Sequence, residues 1–230
     1  MGLSGQFSVR VNTLPPFLQN TIYHSATERQ IIEAIATGAM EFPSAGKNCI
    51  LLYGAYGTGK TTLARLLPEA IELAKGGQNA YYDFTACSQA ITGPQLMTQI
   101  KQRTLLTSSN YSGFHYQILD EIDNLSDAAQ ASLKSVTGTL QTIFIFTTNF
   151  INKVDLGLQN RSVRINCNQS ASQNYLPLAK TLLRQYGGSP VSDAHLLPVI
   201  DDCKGSIRDL NEKMQRIAIQ QKANKLPVTP

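Results

Sequence analysis

The sequence predicts an α/β domain of five strands followed by a small helical unit, and three observations carry that prediction. Short, largely apolar runs at 50–53, 116–119 (interrupted by Gln117) and 143–146 alternate with helix-forming stretches, the pattern of strands joined by helices. The first run passes through Gly54-Ala55-Tyr56-Gly57-Thr58-Gly59-Lys60-Thr61 into apolar, helix-forming residues 63–67, so that strand, glycine-rich loop and helix follow directly on one another. Strand signals cease near residue 169, and only helical periods follow.

Taken in order, residues 1–20 show no period, and Pro15-Pro16 argue against a regular helix or central strand there, giving an irregular arm. Ser25 with Glu28 has the spacing of a capping box, and Ile31, Ile32, Ile35 and Ala36 share one face, so a helix is expected as far as Gly38. Residues 43–47 form a turn into the first strand. Gly76-Gly77 ends the helix after the glycine-rich loop, and residues 80–84 read as a second strand. Pro94 starts a helix carrying Leu96, Met97 and Ile100, and residues 107–113 suit a surface loop. A third strand at 116–119 ends in Asp120-Glu121-Ile122-Asp123. A helix over 128–136 leads to the fourth strand at 143–146, which ends at Thr147-Thr148-Asn149. Val163, Ile165 and Cys167 alternate with polar residues as a fifth strand with one wet face, and the aromatic residues, mostly on strands, read as core. Helical segments at 173–186, 192–203 and 206–223 are separated by Gly187-Gly188 and Gly205. The resulting division is an arm over 1–20, an α/β core over 21–169 and a helical lid over 170–230.

Composition narrows the class. The 230 residues suffice for a hydrophobic core, and 42% hydrophobic against 16% charged residues is a globular balance. A formal net charge of +4 permits an acidic partner such as nucleic acid without requiring one. Cys49, Cys87, Cys167 and Cys203 lie far apart with no C-x-x-C pair, which argues against zinc and against a disulfide framework and points to a reducing, cytoplasmic setting. Residues 14–18 are too short and too proline-rich for a signal sequence, and no apolar run has the length of a membrane span.

The loop carries the chemistry. G-x-x-x-x-G-K-T is the spacing of a phosphate-binding loop, in which glycines let backbone N–H groups turn onto a polyphosphate at the positive end of a helix. The expected nucleotide contacts are Gly54, Ala55, Tyr56, Gly57, Thr58, Gly59, Lys60, Thr61 and Thr62, with Lys60 on the β- and γ-phosphates of ATP and the Thr61 hydroxyl on Mg²⁺. Adjacent carboxylates after a buried strand supply the second half of an ATPase site: Asp120 holds Mg²⁺ and Glu121 polarises the attacking water. Asn149, at the end of the most apolar strand, is placed to orient that water. Arg161 and Arg208 are the candidates for stabilising charge on the transferred phosphoryl group, Arg161 on a neighbour's nucleotide and Arg208 from the lid, with Arg164 a competitor of Arg161. Asn152-Lys153-Val154-Asp155 spells the guanine-selecting N-K-x-D, but Asp120, at the end of the third strand, is followed three positions on by Asp123 rather than by the glycine of a D-x-x-G switch, and the tetrapeptide lies past the end of the fourth strand. His24, His115 and His195 fit no metal or triad spacing.

The order of these motifs resembles the AAA+ ATPases, and within them the small subunits of sliding-clamp loaders. Residues 125–133 up to Thr147-Thr148-Asn149 look like the family's stretch from Walker B to sensor 1. Leu158-Gln159-Asn160-Arg161-Ser162 is similar to its Ser-Arg-Cys arginine-finger segment, with Asn160 and Ser162 as departures, and Gly205-Ser206-Ile207-Arg208 resembles sensor 2. The resemblance covers roughly residues 20–223 and implies a parallel sheet ordered 5-1-4-3-2, a three-helix lid and ATP sites shared between subunits of a ring or spiral. By it, Arg161 serves the adjacent subunit and Arg208 its own. Ala55-Tyr56 replaces the usual Pro-Pro of the loop, and a helical collar domain like that of clamp-loader subunits is not expected here.

The leading expectation is therefore a homo-oligomeric, Mg²⁺-dependent AAA+ ATPase acting on DNA or a DNA-bound replication protein, its compactness also fitting a virus- or mobile-element-encoded protein. Alternatives are a helicase loader, a transposition-type regulator and, outside enzymes, a nucleotide-gated scaffold. Glu121, Asn149 and Arg161 argue against the last, because a pure switch needs none of them.

Overall fold

The computed structural model describes residues 15–19, 21–138 and 141–223. Five parallel strands form one sheet in the order β2-β3-β4-β1-β5, as the resemblance implies. They are β1 (Cys49–Tyr53), β2 (Tyr82–Ala86), β3 (His115–Asp120), β4 (Thr142–Thr148) and β5 (Ser162–Asn166). Joining helices cover both faces: α2 (Ala26–Ala36) and α3 (Lys60–Lys75) on one, α4 (Gly93–Thr104), α5 (Asp127–Val136) and α6 (Leu156–Asn160) on the other.

Two-sided burial explains why the strands read as continuous apolar runs rather than alternating ones. Ile50 and Leu52 of β1 join Ile143 and Ile145 of β4 in the core beneath α2 and α3. Cys49, Leu51, Phe144 and Phe146 point the other way, into a core shared with Leu96, Ile100, Leu133 and Leu158. All seven residues of β4 are buried between β3 and β1. On the edge strand β5, Arg164 is exposed between buried Val163 and Ile165. Helices α7 (Leu176–Gln185), α8 (Asp193–Asp202) and α9 (Ile207–Ala223) bury a cluster of their own, which includes Ala179, Leu183, Leu196, Ile200, Leu210 and Met214.

Three expectations need correction. Pro15-Pro16 do not exclude a helix: a single turn, α1 (Pro16–Gln19), starts at Pro16, where the missing N–H is one that a helix start leaves unpaired. The remainder of the expected arm lies outside the described residues. The second strand begins at Tyr82 rather than at 80, because the side chain of Asn110 takes both the N–H (2.7 Å) and the carbonyl (2.9 Å) of Tyr81. The aromatic residues are not all core. Tyr56, Tyr81 and Tyr111 are each at least 60% exposed.

A buried carboxylate fastens the 107–113 loop to α3. Glu72, fully buried, accepts from the Tyr116 hydroxyl (2.6 Å), the Ser112 N–H (3.0 Å) and the Ser112 hydroxyl. Burial first, and then the Glu72 carboxylate, push the pKa of the Tyr116 hydroxyl well up and keep it a donor. Tyr116→Phe leaves this carboxylate short of one donor and is expected to cost about 1–3 kcal/mol, read as a lower urea midpoint at unchanged slope.

Candidate functional site: a phosphate loop at the carboxyl ends of the strands

The carboxyl ends of β1, β3 and β4 open onto one crevice, at the point where the chain order reverses about β1, the usual ligand position in open parallel sheets. A cavity of about 350 Å³ there is lined by Tyr56, Gly57, Thr58, Gly59, Lys60, Thr61, Thr62, Glu121, Thr147, Asn149, Ile207, Arg208 and Asn211. Most of the expected contacts thus meet at one place. Gly54 and Ala55 stand behind the lining, where their carbonyls accept from Lys60 Nζ at 2.9 and 2.7 Å.

Lys60 is the first residue of α3 and is 7% exposed. Burial lowers its pKa, against which Cys167 and then the carboxylates Asp120, Asp123 and Glu121 act. Next to it, the Thr61 hydroxyl donates to Asp120 Oδ1 at 2.8 Å. This hydroxyl and carboxylate are the donor set that suits Mg²⁺, which takes one or two protein oxygens and completes its shell with water and substrate phosphates. Among the described residues no cluster of three or more His, Cys, Asp or Glu could hold a metal by itself.

Thr147 and Thr148 contact the candidate carboxylates, and the sequence did not single them out. The Thr147 hydroxyl donates to Asp120 Oδ1 (2.6 Å) and accepts from the Glu121 N–H (2.9 Å). Thr148 donates to Asp123 Oδ1 at 2.7 Å, and the Asn149 N–H approaches the same oxygen at 3.3 Å. The end of β4 therefore fixes the carboxylate turn after β3. Glu121 holds φ of 58°, a left-handed conformation costing a non-glycine residue about 1–2 kcal/mol, and lines the cavity while its Oε2 accepts from Asn124 Nδ2 at 3.2 Å. A buried strand ending in two hydroxyl residues was the available signal for these contacts.

Arg208 reaches the cavity from α9, whose first turn rests on the loop: Ile207 N–H donates to the Gly57 carbonyl at 2.8 Å. Gly57 has φ of +75°, which favours glycine, and a Cβ there would crowd Ser206 Oγ, just before α9, at 2.4 Å. Arg161 lies outside the cavity. It closes the C-terminus of α6 and donates through Nη1 to Thr137 Oγ1 (3.0 Å) and to the Lys134 carbonyl at the end of α5. Arg164 lies beside a different concavity, with Lys47, Leu156 and Asn160.

Sheet order, loop and helical unit together are the fold of the AAA+ P-loop ATPases. Beyond the fold, the chain resembles the small subunits of sliding-clamp loaders. The family model described as AAA domain (dynein-related subfamily) matches residues 49–141. Replication factor C small subunit 2 of Pyrobaculum islandicum is 24% identical over 194 residues, 83% of this chain and 60% of the relative. DNA polymerase III subunit gamma of Buchnera aphidicola is 26% identical over 204 residues, 79% of this chain and 54% of the relative. The chain thus spans little more than half the length of these relatives. Among solved structures, the Thermotoga maritima RuvB Holliday junction branch migration motor superposes with a TM-score of 0.67 at 16% identity, covering 86% of this chain and 63% of that one. PCH-2 of C. elegans gives 0.58 at 12% identity, covering 89% and 71%. At such identities these likenesses speak for the fold.

Proposed function

We propose that this chain is an oligomeric, Mg²⁺-dependent ATPase that hydrolyses ATP at subunit interfaces to drive a DNA transaction, most closely one of replication. The observation that carries this reading is the meeting of Lys60, Thr61, Glu121, Asn149 and Arg208 around a single cavity beneath the phosphate loop. Triphosphate oxygens take over Lys60 Nζ from the Gly54 and Ala55 carbonyls. Thr61 and Asp120 would hold Mg²⁺, which would supply the positive charge that offsets that of the phosphates. Glu121 accepts the proton of the attacking water, Asn149 orients that water, and Arg208 stabilises the γ-phosphate from the helical unit. A scaffold without turnover has no use for a carboxylate held in a left-handed turn beside this cavity.

The shared site rests on Arg161, a strong cation absent from its own chain's cavity and placed at the α6–β5 junction, where the resemblance puts a finger for the neighbour. DNA as the partner rests on the replication proteins among the relatives, and a helicase loader or transposition-type regulator uses the same ATP site. No helix among the described residues is long and apolar enough to cross a membrane.

Glu121→Gln tests the hydrolytic part. The amide keeps the shape and loses the base, so hydrolysis is expected to fall by a factor of about 10² or more while Mg²⁺-ATP binds with its parental affinity. Steady-state phosphate release and a nucleotide titration read the two effects. Turnover at the parental rate assigns the base elsewhere.

A further inference from the structure

Between β5 and α7 the chain passes directly behind the phosphate loop. Cys167 N–H donates to the Tyr53 carbonyl at 2.7 Å, continuing the β1–β5 ladder by one step. The next residue leaves the ladder and turns its side chain onto the loop: Asn168 Oδ1 accepts from the Ala55 N–H at 2.9 Å. Its rotamer is fixed from the other side, because Asn168 Nδ2 and its backbone N–H both donate to Asn166 Oδ1, at 2.8 and 2.9 Å. The fit is close enough that a Cβ on Gly54 would stand 2.8 Å from both Asn168 N and the Cys167 carbonyl carbon.

The same short segment meets the start of α9. A Cβ on Gly205 would come within 2.7 Å of Gln169 Cβ, so Gln169 and Gly205 are in direct contact. From Gly205 the chain enters α9, and Ile207 and Arg208 N–H groups approach the Gly57 carbonyl at 2.8 and 3.4 Å. The phosphate loop is therefore held twice by the helical unit and its connection, at residue 55 through Asn168 and at residue 57 through α9. A change of backbone conformation at residue 55 or 57 therefore moves one of those two contacts.

We infer that Asn168 is a positioning residue that couples the phosphate loop to the helical unit, so that a nucleotide settling into the loop resets the α9 end carrying Arg208. Its side-chain oxygen, as acceptor for the Ala55 N–H, is the working atom. The inference rests on the proposed nucleotide site, and its test separates the two.

Hydrogen–deuterium exchange on the full chain, with and without a saturating, slowly hydrolysed ATP analogue, reads segments 54–59 and 205–211 separately. In the parental protein the analogue is expected to change exchange in both. In Asn168→Ala the loop segment still responds at saturation, the response of 205–211 falls by half or more, and affinity weakens about three- to tenfold, the loss of one hydrogen bond. Asn168→Ser, whose hydroxyl is too short to reach Ala55, carries the alanine expectation where the alanine variant does not fold. An unchanged 205–211 response in the alanine or serine variant overturns the inference. Absence of any response to the analogue in the parental protein would instead overturn the nucleotide site itself.

Discussion

Lys60→Ala is expected to lower ATP affinity by a factor of about 10² or more, to below detection in an ordinary nucleotide titration. The ammonium supplies charge-assisted hydrogen bonds to the β- and γ-phosphates, each worth roughly 1.5–3 kcal/mol. Its present contacts add a second cost, since Lys60 Nζ also ties the Gly54 and Ala55 carbonyls of the loop together. A thermal-melting control distinguishes the two contributions: loss of binding at a nearly parental melting temperature belongs to the phosphate contacts. Parental affinity in this variant is incompatible with the proposed site.

Arg161→Ala is expected to remove most hydrolysis, a factor of about 10³ if the guanidinium acts as a finger, while isolated subunits bind ATP as before. The structure adds a qualification that the sequence could not supply. Arg161 also caps the end of α5 through Thr137 and the Lys134 carbonyl, so the alanine variant should lose roughly 1 kcal/mol of stability as well. Arg164→Ala is the matched comparison, because Arg164 is exposed on the edge strand and its removal disturbs little packing. Hydrolysis lost in Arg164→Ala and kept in Arg161→Ala reverses their assignment. Both rates are read by phosphate release at a protein concentration where subunits associate.

The difference between these two arginines shows where the sequence is legible and where it is not. Both are visible as cations near the fifth strand, but nothing along the chain says that Arg161 sits on α5, 24 residues upstream at Thr137. Short-range patterns carried over well. The two-sided apolar runs became the inner strands, and the spacing from Gly54 to Thr61 became the loop whose residues 56–61 line the cavity. Contacts between distant segments did not. Thr147 grips the carboxylate turn 26 residues before it, Asn168 reaches Ala55 across 113 positions, and Asn110 displaces the start of β2 from 29 residues away. Hydroxyl and amide side chains occur everywhere in a sequence, and only the fold shows which backbone group each one meets.

Mixing two inactive variants is the most direct test of a shared ATP site. Lys60→Ala subunits carry a disabled pocket with an intact Arg161, and Arg161→Ala subunits carry an intact pocket without the finger. A mixed oligomer then contains interfaces in which a good pocket faces a good finger, and ATP hydrolysis should return to a fraction of the parental rate, with DNA present if DNA drives assembly. Two variants that remain inactive in an oligomer shown by mass to contain both would contradict hydrolysis at the subunit interface through Arg161.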